Sequence, residues 1–275
     1  MARIPLEDNY TDVIKKAQRG LSVTDEQLAS RADVRPDALA RLKNGEFDET
    51  VARRVAPHLH LSRDALIELA QGSWYPTHPA FPRGFAIFNT LHEDMTVNAY
   101  VIWDERTRLA AIFDTGGTAD PIFDLLKQEK LKARYIFVTH THDDHVADLP
   151  RLQRETSAEV WSSELEPTDI SGAKTFSENA FFHLGAFAIK TLLTNGHSAG
   201  GTTFYITGLS YPLAIAGDSM FSASMGGTPP GVYANAVDNN KKKILTLPAD
   251  TALGFGHGPM STVAQEKKHN PFFAR

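Results

Sequence analysis

Within Thr139-His140-Thr141-His142-Asp143-Asp144-His145, three imidazoles and two carboxylates crowd into six residues of a chain with 11 histidines in 275 residues. Neutral imidazole and carboxylate are the ligands that borderline divalent metals accept when thiolate is lacking. This chain contains no cysteine, so disulfides, thiol nucleophiles, iron–sulfur clusters and thiolate zinc sites are excluded. On an extended segment alternate side chains point the same way, so His140 and His142 can serve one ion. Asp144 and His145 lie beyond the turn, where they can serve a second. Three later segments offer more ligands: His197 in a glycine-rich loop ending Gly200-Gly201, Asp218 after the apolar run Leu213–Ala216, and His257 in Gly256-His257-Gly258-Pro259. Each of these alone is more often a structural residue. Together with the first motif they form a set, in which Asp218 could bridge two ions.

The elements that must position this set follow from periodicity. From Tyr10 to about Gln71 apolar residues recur at helical spacing. Thr24 and Gln27 fit a capping box opening a helix over Asp25–Ala32. A second helix opens at Arg35-Pro36 and stops at Asn44-Gly45, and further helical stretches cover Asp48–Ala56 and Ser62–Gln71. Three prolines, Pro76, Pro79 and Pro82, break the pattern. The expected organisation is therefore a helical bundle over 1–73, a linker over 74–82 and a second domain over 83–275. There β-rich runs appear at Phe85–Leu91, Asn98–Trp103, Leu109–Phe113, Tyr135–Thr139, Phe187–Leu193, Thr202–Thr207 and Leu213–Ala216. Helical stretches at about Pro121–Gln128 and Val146–Arg154 make this an α/β pattern.

The hydrophobic share of 42% and charged share of 22% are those of a globular protein. A net charge of -5 argues against reliance on phosphate attraction. No run approaches the ~18 apolar residues that span a bilayer, and the acidic N-terminal segment lacks the apolar core of a signal peptide. The cytoplasm is the expected location.

The order H-x-H-x-D-H, later histidine, aspartate and final histidine resembles the metallo-β-lactamase fold superfamily over about Pro79 to Arg275. The resemblance implies an αββα sandwich, preceded here by the small all-α bundle. It implies that His140, His142 and His197 hold a first metal, that Asp144, His145 and His257 hold a second, and that Asp218 bridges them. Such a pair, ~3.5–4 Å apart, would acidify a bridging water and stabilise the oxyanion formed by its attack; Asp144 and Asp218 are the carboxylates expected to act in that step. Asp114 matches the family's aspartate behind the ligands, and reads equally as a turn-forming residue. The absence of cysteine excludes the β-lactamases with a cysteine ligand, Asp218 departs from the other main β-lactamase pattern, and His142 stands where flavodiiron proteins carry glutamate. The set, with Glu266 and Asn270-Pro271-Phe272, looks most like glyoxalase II and its small bacterial relatives. Asn195 and Phe255 replace prolines usual there, and only 18 residues follow His257, too few for the helical C-terminal domain of full-length glyoxalase II.

The implied activity is hydrolysis of a small ester or thioester by a metal-bound hydroxide, similar to hydroxyacylglutathione hydrolase. Two divalent ions are expected, zinc first, with iron or manganese as alternatives. A second reading is a persulfide dioxygenase-like enzyme with a single iron on His140, His197 and Asp218. A third is a transcriptional regulator, because Leu28–Val34 and Asp37–Leu42 resemble a Cro/repressor-type helix-turn-helix. Residues 1–73 carry 11 Lys/Arg against 12 Asp/Glu, however, and Asp33 occupies the turn where that family usually has glycine. No DNA-binding residue is assigned. The expected partner is a small-molecule substrate, with neither membrane nor nucleic acid; the bundle is expected to pack or to join copies into a homo-oligomer.

Overall fold

Between Tyr10 and Gln71 the helical spacing becomes five short helices in the computed structural model, which describes residues 3–274. The ends expected at Met1 and Arg275 lie outside the described residues. Helix α1 (Tyr10–Gly20) is opened by Asn9 and Asp12 in a capping box. Helix α2 (Asp25–Ala32) opens at Thr24, whose side chain accepts from Gln27 N while Gln27 Oε1 accepts from Thr24 N. Pro36 starts α3 (Pro36–Lys43), where its missing N–H costs nothing. Helix α4 (Glu49–Val55) stops one residue short of the expected Ala56, where the chain tightens into a 3₁₀ turn over Ala56–Leu59. Helix α5 (Arg63–Gln71) ends on left-handed Gly72.

Past the prolines the chain forms two six-stranded sheets. The first holds β1 (Phe85–His92), β2 (Met95–Trp103), β3 (Leu109–Phe113), β4 (Lys132–Phe137), β5 (Glu159–Ser163) and β6 (Lys174–Phe176) in sequence order. The second holds β7 (Phe181–Leu184), β8 (Phe187–Leu193), β9 (Thr202–Thr207), β10 (Leu213–Ile215), β11 (Ala252–Gly254) and β12 (Ser261–Thr262), again in order. Strands β1–β3 are antiparallel and β3–β6 parallel; in the second sheet only β10 and β11 run parallel. Alternation assigns the faces. Tyr100, Ile102, Phe113, Phe137, Phe204 and Ile215 point between the sheets. Val101, Ile112, Ile136 and Val160 point the other way, under α6 (Asp120–Gln128) and α8 (Leu149–Thr156).

The single helix expected over Val146–Arg154 is two. Helix α7 (Asp143–Val146) ends where Asp148 turns to accept from Ala119 N at 2.8 Å, and Pro150 in the first turn of α8 starts the next helix. The strand expected to reach Thr139 ends at Phe137, because Thr139 N is drawn to Asp114 Oδ1 at 2.8 Å.

The outer face of the second sheet carries Ala214, Ala216, Leu253 and Phe255, and these share one apolar cluster with Val13, Ile14, Ala17, Leu28, Leu59 and Leu66 of the N-terminal helices. With α9 (Tyr233–Asn239) and α10 (Val263–His269), those helices form the fourth layer of a helix–sheet–sheet–helix stack. The proline segment is docked as well: Trp74 stacks on His269 with ring centroids 4.7 Å apart, and Tyr75 OH donates to Ile4 C=O at 2.7 Å. Among the described residues, no helix is long and apolar enough to cross a membrane. Removing residues 1–73 should strip the cover from Phe255 and Leu253 and leave an aggregating chain. A truncated protein that stays monomeric by light scattering, with an unchanged thermal transition, would contradict this shared core.

Glu266 on α10 is fully buried, accepting from Asn270 Nδ2 at 2.8 Å and Ala223 N at 3.1 Å. Burial outweighs these bonds and pushes its pKa up to about 7. A carboxyl whose folded pKa lies above its unfolded value, near 4.5, drains stability as pH rises through that interval and withholds it fully above pH 7. Glu266→Gln keeps the acceptor and removes the charge. It should stabilise the protein by up to about 3 kcal/mol at pH 8, with the gain gone by pH 4.5. Denaturant unfolding at both pH values checks this; an equal effect at both would refute it.

Candidate metal centre

The ends of four strands deliver the seven nominated side chains to one place. The segment after β4 supplies His140, His142 and, through α7, Asp144 and His145. The loop after β8 supplies His197, the turn after β10 supplies Asp218, and the loop after β11 supplies His257. Ligand-capable atoms of His140, His142 and His197 lie within 4.8 Å of one another, as do those of Asp144, His145 and His257. A third trio, His140, His145 and Asp218, links the two.

Asp218 sits between the groups. Its Oδ1 is 3.2 Å from His145 Nε2, and its Oδ2 is 3.5 Å from both His197 Nε2 and His257 Nε2. His257 Nε2 is also 3.1 Å from Asp144 Oδ2. On the other side His142 Nδ1 lies 3.1 Å from His140 Nε2 and 3.0 Å from His197 Nε2.

The far nitrogens of these rings are committed elsewhere, which fixes the tautomers. His197 Nδ1 donates to Gly227 C=O and His257 Nδ1 to Thr96 C=O, both at 2.8 Å. His145 Nδ1 donates to Asp114 Oδ2 at 2.8 Å. Thr139 Oγ1 gives its one proton to Asp114 Oδ2 at 2.7 Å and so receives His140 Nδ1–H at 3.1 Å. Four imidazoles thus turn Nε2 inward, as metal ligands with anchored outer nitrogens do. His145 Nε2 and Asp218 Oδ1 are buried with no hydrogen-bond partner. Buried polar atoms without partners are costly, and two aimed into one gap, with five more donors around it, fit a divalent cation. A trio of histidines and a histidine–histidine–aspartate trio sharing a carboxylate suit zinc, iron or manganese alike.

The field is that of a site awaiting positive charge. His140 and His197 are pushed down by burial and by neighbouring imidazoles, so both are neutral. Burial would also lower His145 and His257. Asp218 and Asp114 outweigh it at His145, raising it to about 10, and Asp144 with Asp218 raises His257 to about 11. Burial opposes ionisation of Asp144, yet the bond to His257 holds it at about 2; Asp218 is held well below the ordinary carboxylate range by His145.

Close packing leaves little latitude. A Cβ on Gly256 would collide with Asp218 Oδ1, and one on Gly226 with Asp218 C=O. Asp114 adopts a left-handed φ of 58°, a conformation aspartate tolerates, which turns its carboxylate back under Thr139.

Glu166, unremarked in the sequence, belongs to this site. Its Oε1 accepts from Thr141 N at 2.7 Å and Thr141 Oγ1 at 2.8 Å, and its Oε2 from Gly200 N at 2.6 Å. It therefore ties the His140–His142 segment to the His197 loop. Lys242 and Lys243, by contrast, pair with Asp238 and Glu178 away from the ligands.

Every partner of Asp114 is a donor, so Asp114→Asn must turn an amide N–H toward one of them. It should weaken the ion held with His145 by about 10–100-fold, read by competition with a chromophoric chelator. Affinity within twofold of wild type would show that Asp114 does not orient that ligand.

Comparison with known proteins agrees with this geometry. The family described as the Metallo-beta-lactamase superfamily matches residues 92–257. Hydroxyacylglutathione hydrolase GloC of Haemophilus influenzae is 27% identical over 197 residues, 64% of this chain and 92% of that protein. The probable metallo-hydrolase YqgX of Bacillus subtilis is 28% identical over 196 residues, 64% of this chain and 91% of its own length. Among solved structures, the BLEG-1 B3 metallo-beta-lactamase superposes with a TM-score of 0.58 at 27% identity, covering 69% of this chain and 100% of that one. ETHE1 from Myxococcus xanthus, at 23% identity, shares the fold with a TM-score of 0.60 over 69% of this chain and 84% of its own.

Proposed function

Since the chain belongs to the metallo-β-lactamase superfamily, we propose that it is a dinuclear metallo-hydrolase that cleaves a small ester or thioester, in the manner of hydroxyacylglutathione hydrolase. The observation that carries this reading is the pair of ligand trios that meet at Asp218, with His145 Nε2 and Asp218 Oδ1 left without partners. Residues His140, His142 and His197 would hold one ion and Asp144, His145 and His257 the other, with Asp218 shared. When bound, two such ions supply a water acidic enough to ionise near neutral pH and a Lewis acid for the scissile carbonyl.

The protein's own contribution is orientation and charge. Asp218 brings a permanent negative charge between the two trios, and Asp144, held at about 2, stays ionised and can accept a hydrogen bond from the attacking water. His142 is the exposed ligand, so the open side of the centre, where a substrate carbonyl must arrive, lies toward it and His197. Zinc is the metal we favour on the nitrogen-rich donor set.

The two full trios favour this reading over single-iron oxidation, which would leave Asp144, His145 and His257 without a task. The N-terminal helices are read as packing. Arg35 and Arg41 both pair with Asp37, and Lys43 pairs with Asp25.

Metal analysis of the purified protein, with an ester, thioester and lactone panel, should find close to two divalent ions per chain and hydrolysis. Asp218→Ala should abolish turnover and keep the circular dichroism spectrum. One iron per chain with oxygen consumption would replace the hydrolase reading, and a residual rate above about a tenth of wild type, ~1.4 kcal/mol of barrier, would remove Asp218 from its central place.

A further inference from the structure

A second charged feature adjoins the metal centre and is built from the N-terminal helices. Lys15, Lys16 and Arg19, at helical spacing on α1, line a cavity of about 520 Å3 together with Lys43, Asp8 and Asp12. Asp8, Lys16 and Lys43 are paired. Asp8 accepts from Lys16 and from Ser224 Oγ, Asp12 accepts from Asn9 N in the helix cap, and Lys43 pairs with Asp25. Lys15 and Arg19 are exposed at the cavity with no carboxylate partner among the described residues. Asp12 keeps its charge in the same wall, but Lys15 and Arg19 outnumber it, and the net positive potential favours an oxyanion that can meet both cations.

The cavity is close to the chemistry. Arg19 Nη2 lies 3.0 Å from where a Cβ on Gly227 would sit, and Gly227 C=O is the acceptor that fixes His197. Lys16 Nζ donates to Met225 C=O, two residues earlier in the same loop, at 3.0 Å. One loop thus separates the cationic pocket from His197. Helix α1 lies outside the family match at residues 92–257, so the pocket is an addition made by this chain's own N-terminal layer.

We propose that this cavity is the subsite for an anionic tail on the leaving part of the substrate, a phosphate or a carboxylate group held by Lys15 and Arg19. The proposal rests on the hydrolase reading above. It makes the N-terminal layer a determinant of substrate choice as well as a cover for the second sheet.

The test uses the full-length, metal-loaded protein and three thioesters with one acyl group: a neutral N-acetylcysteamine ester, a glutathione ester with carboxylates, and a coenzyme A ester with phosphates. At least one anionic ester should be preferred over the neutral one at low salt, and the preference should fade as salt rises. Lys15→Glu with Arg19→Glu should lower the ratio of anionic to neutral kcat/KM by about tenfold or more, chiefly through KM, as loss of charge-assisted contacts requires. A fall confined to the coenzyme A ester assigns the pocket to phosphate, and one confined to the glutathione ester assigns it to carboxylate. An unchanged ratio for both esters overturns the proposal while leaving the hydrolase reading intact. If no thioester is turned over, calorimetry with adenosine 3′,5′-bisphosphate and with S-methylglutathione still decides the pocket. Binding of either probe that the double substitution abolishes supports the subsite, and binding of neither refutes it.

Discussion

Asp218 carries a negative charge into the interior at the end of the second sheet, and a buried carboxylate survives only where opposite charge meets it. His145 and His257 do so here, and the arrangement of imidazoles around Asp218 explains most of the local structure. His145, His197 and His257 come within 3.5 Å of its oxygens, each from a different segment, and each has its outer nitrogen tied to an acceptor behind it. The glycines at 226 and 256 are there because Asp218 is. A side chain at either would occupy space that its carboxylate or carbonyl already fills. The ligand cluster is therefore a feature of how the two sheets end rather than an ornament on one loop.

That dependence runs outward through named contacts. Asp114 holds Thr139 and His145, so the end of β3 fixes the segment after β4. Glu166 joins that segment to the His197 loop. On the far side Phe221 packs against His257 with ring centroids 5.6 Å apart, and the loop it belongs to is anchored by Asp8 and Lys16 of the N-terminal layer. The helices that precede the sheets thus bear on the geometry of the ligands, through one buried apolar cluster and a few polar ties.

What could be read from the chain follows from where the information sits. The candidate ligand cluster was legible because its chemistry is dense and local, with the metal-binding types gathered in one six-residue segment and repeated at strand ends. The caps at Thr24 and Pro36 were legible for the same reason, since each acts within three or four residues. Glu166 was not, because its partners at Thr141 and Gly200 are more than two dozen residues away in the chain. Strands β6, β11 and β12 span only two or three residues, too few for an alternating pattern to emerge. The helical period showed that α1 and α5 bury a face. It could not show that the face rests on Leu253 and Phe255, since periodicity records burial and not the surface that provides it.

The central claim is that Asp218 joins two metal positions built from separate ligand trios. Anomalous diffraction from crystals soaked in zinc, with data on both sides of the zinc absorption edge, tests it most directly. The account predicts two peaks, one among His140, His142 and His197 and one among Asp144, His145 and His257, with Asp218 reaching both, about 3.5–4 Å apart. A single peak, or two peaks of which one lies away from Asp218, would contradict it.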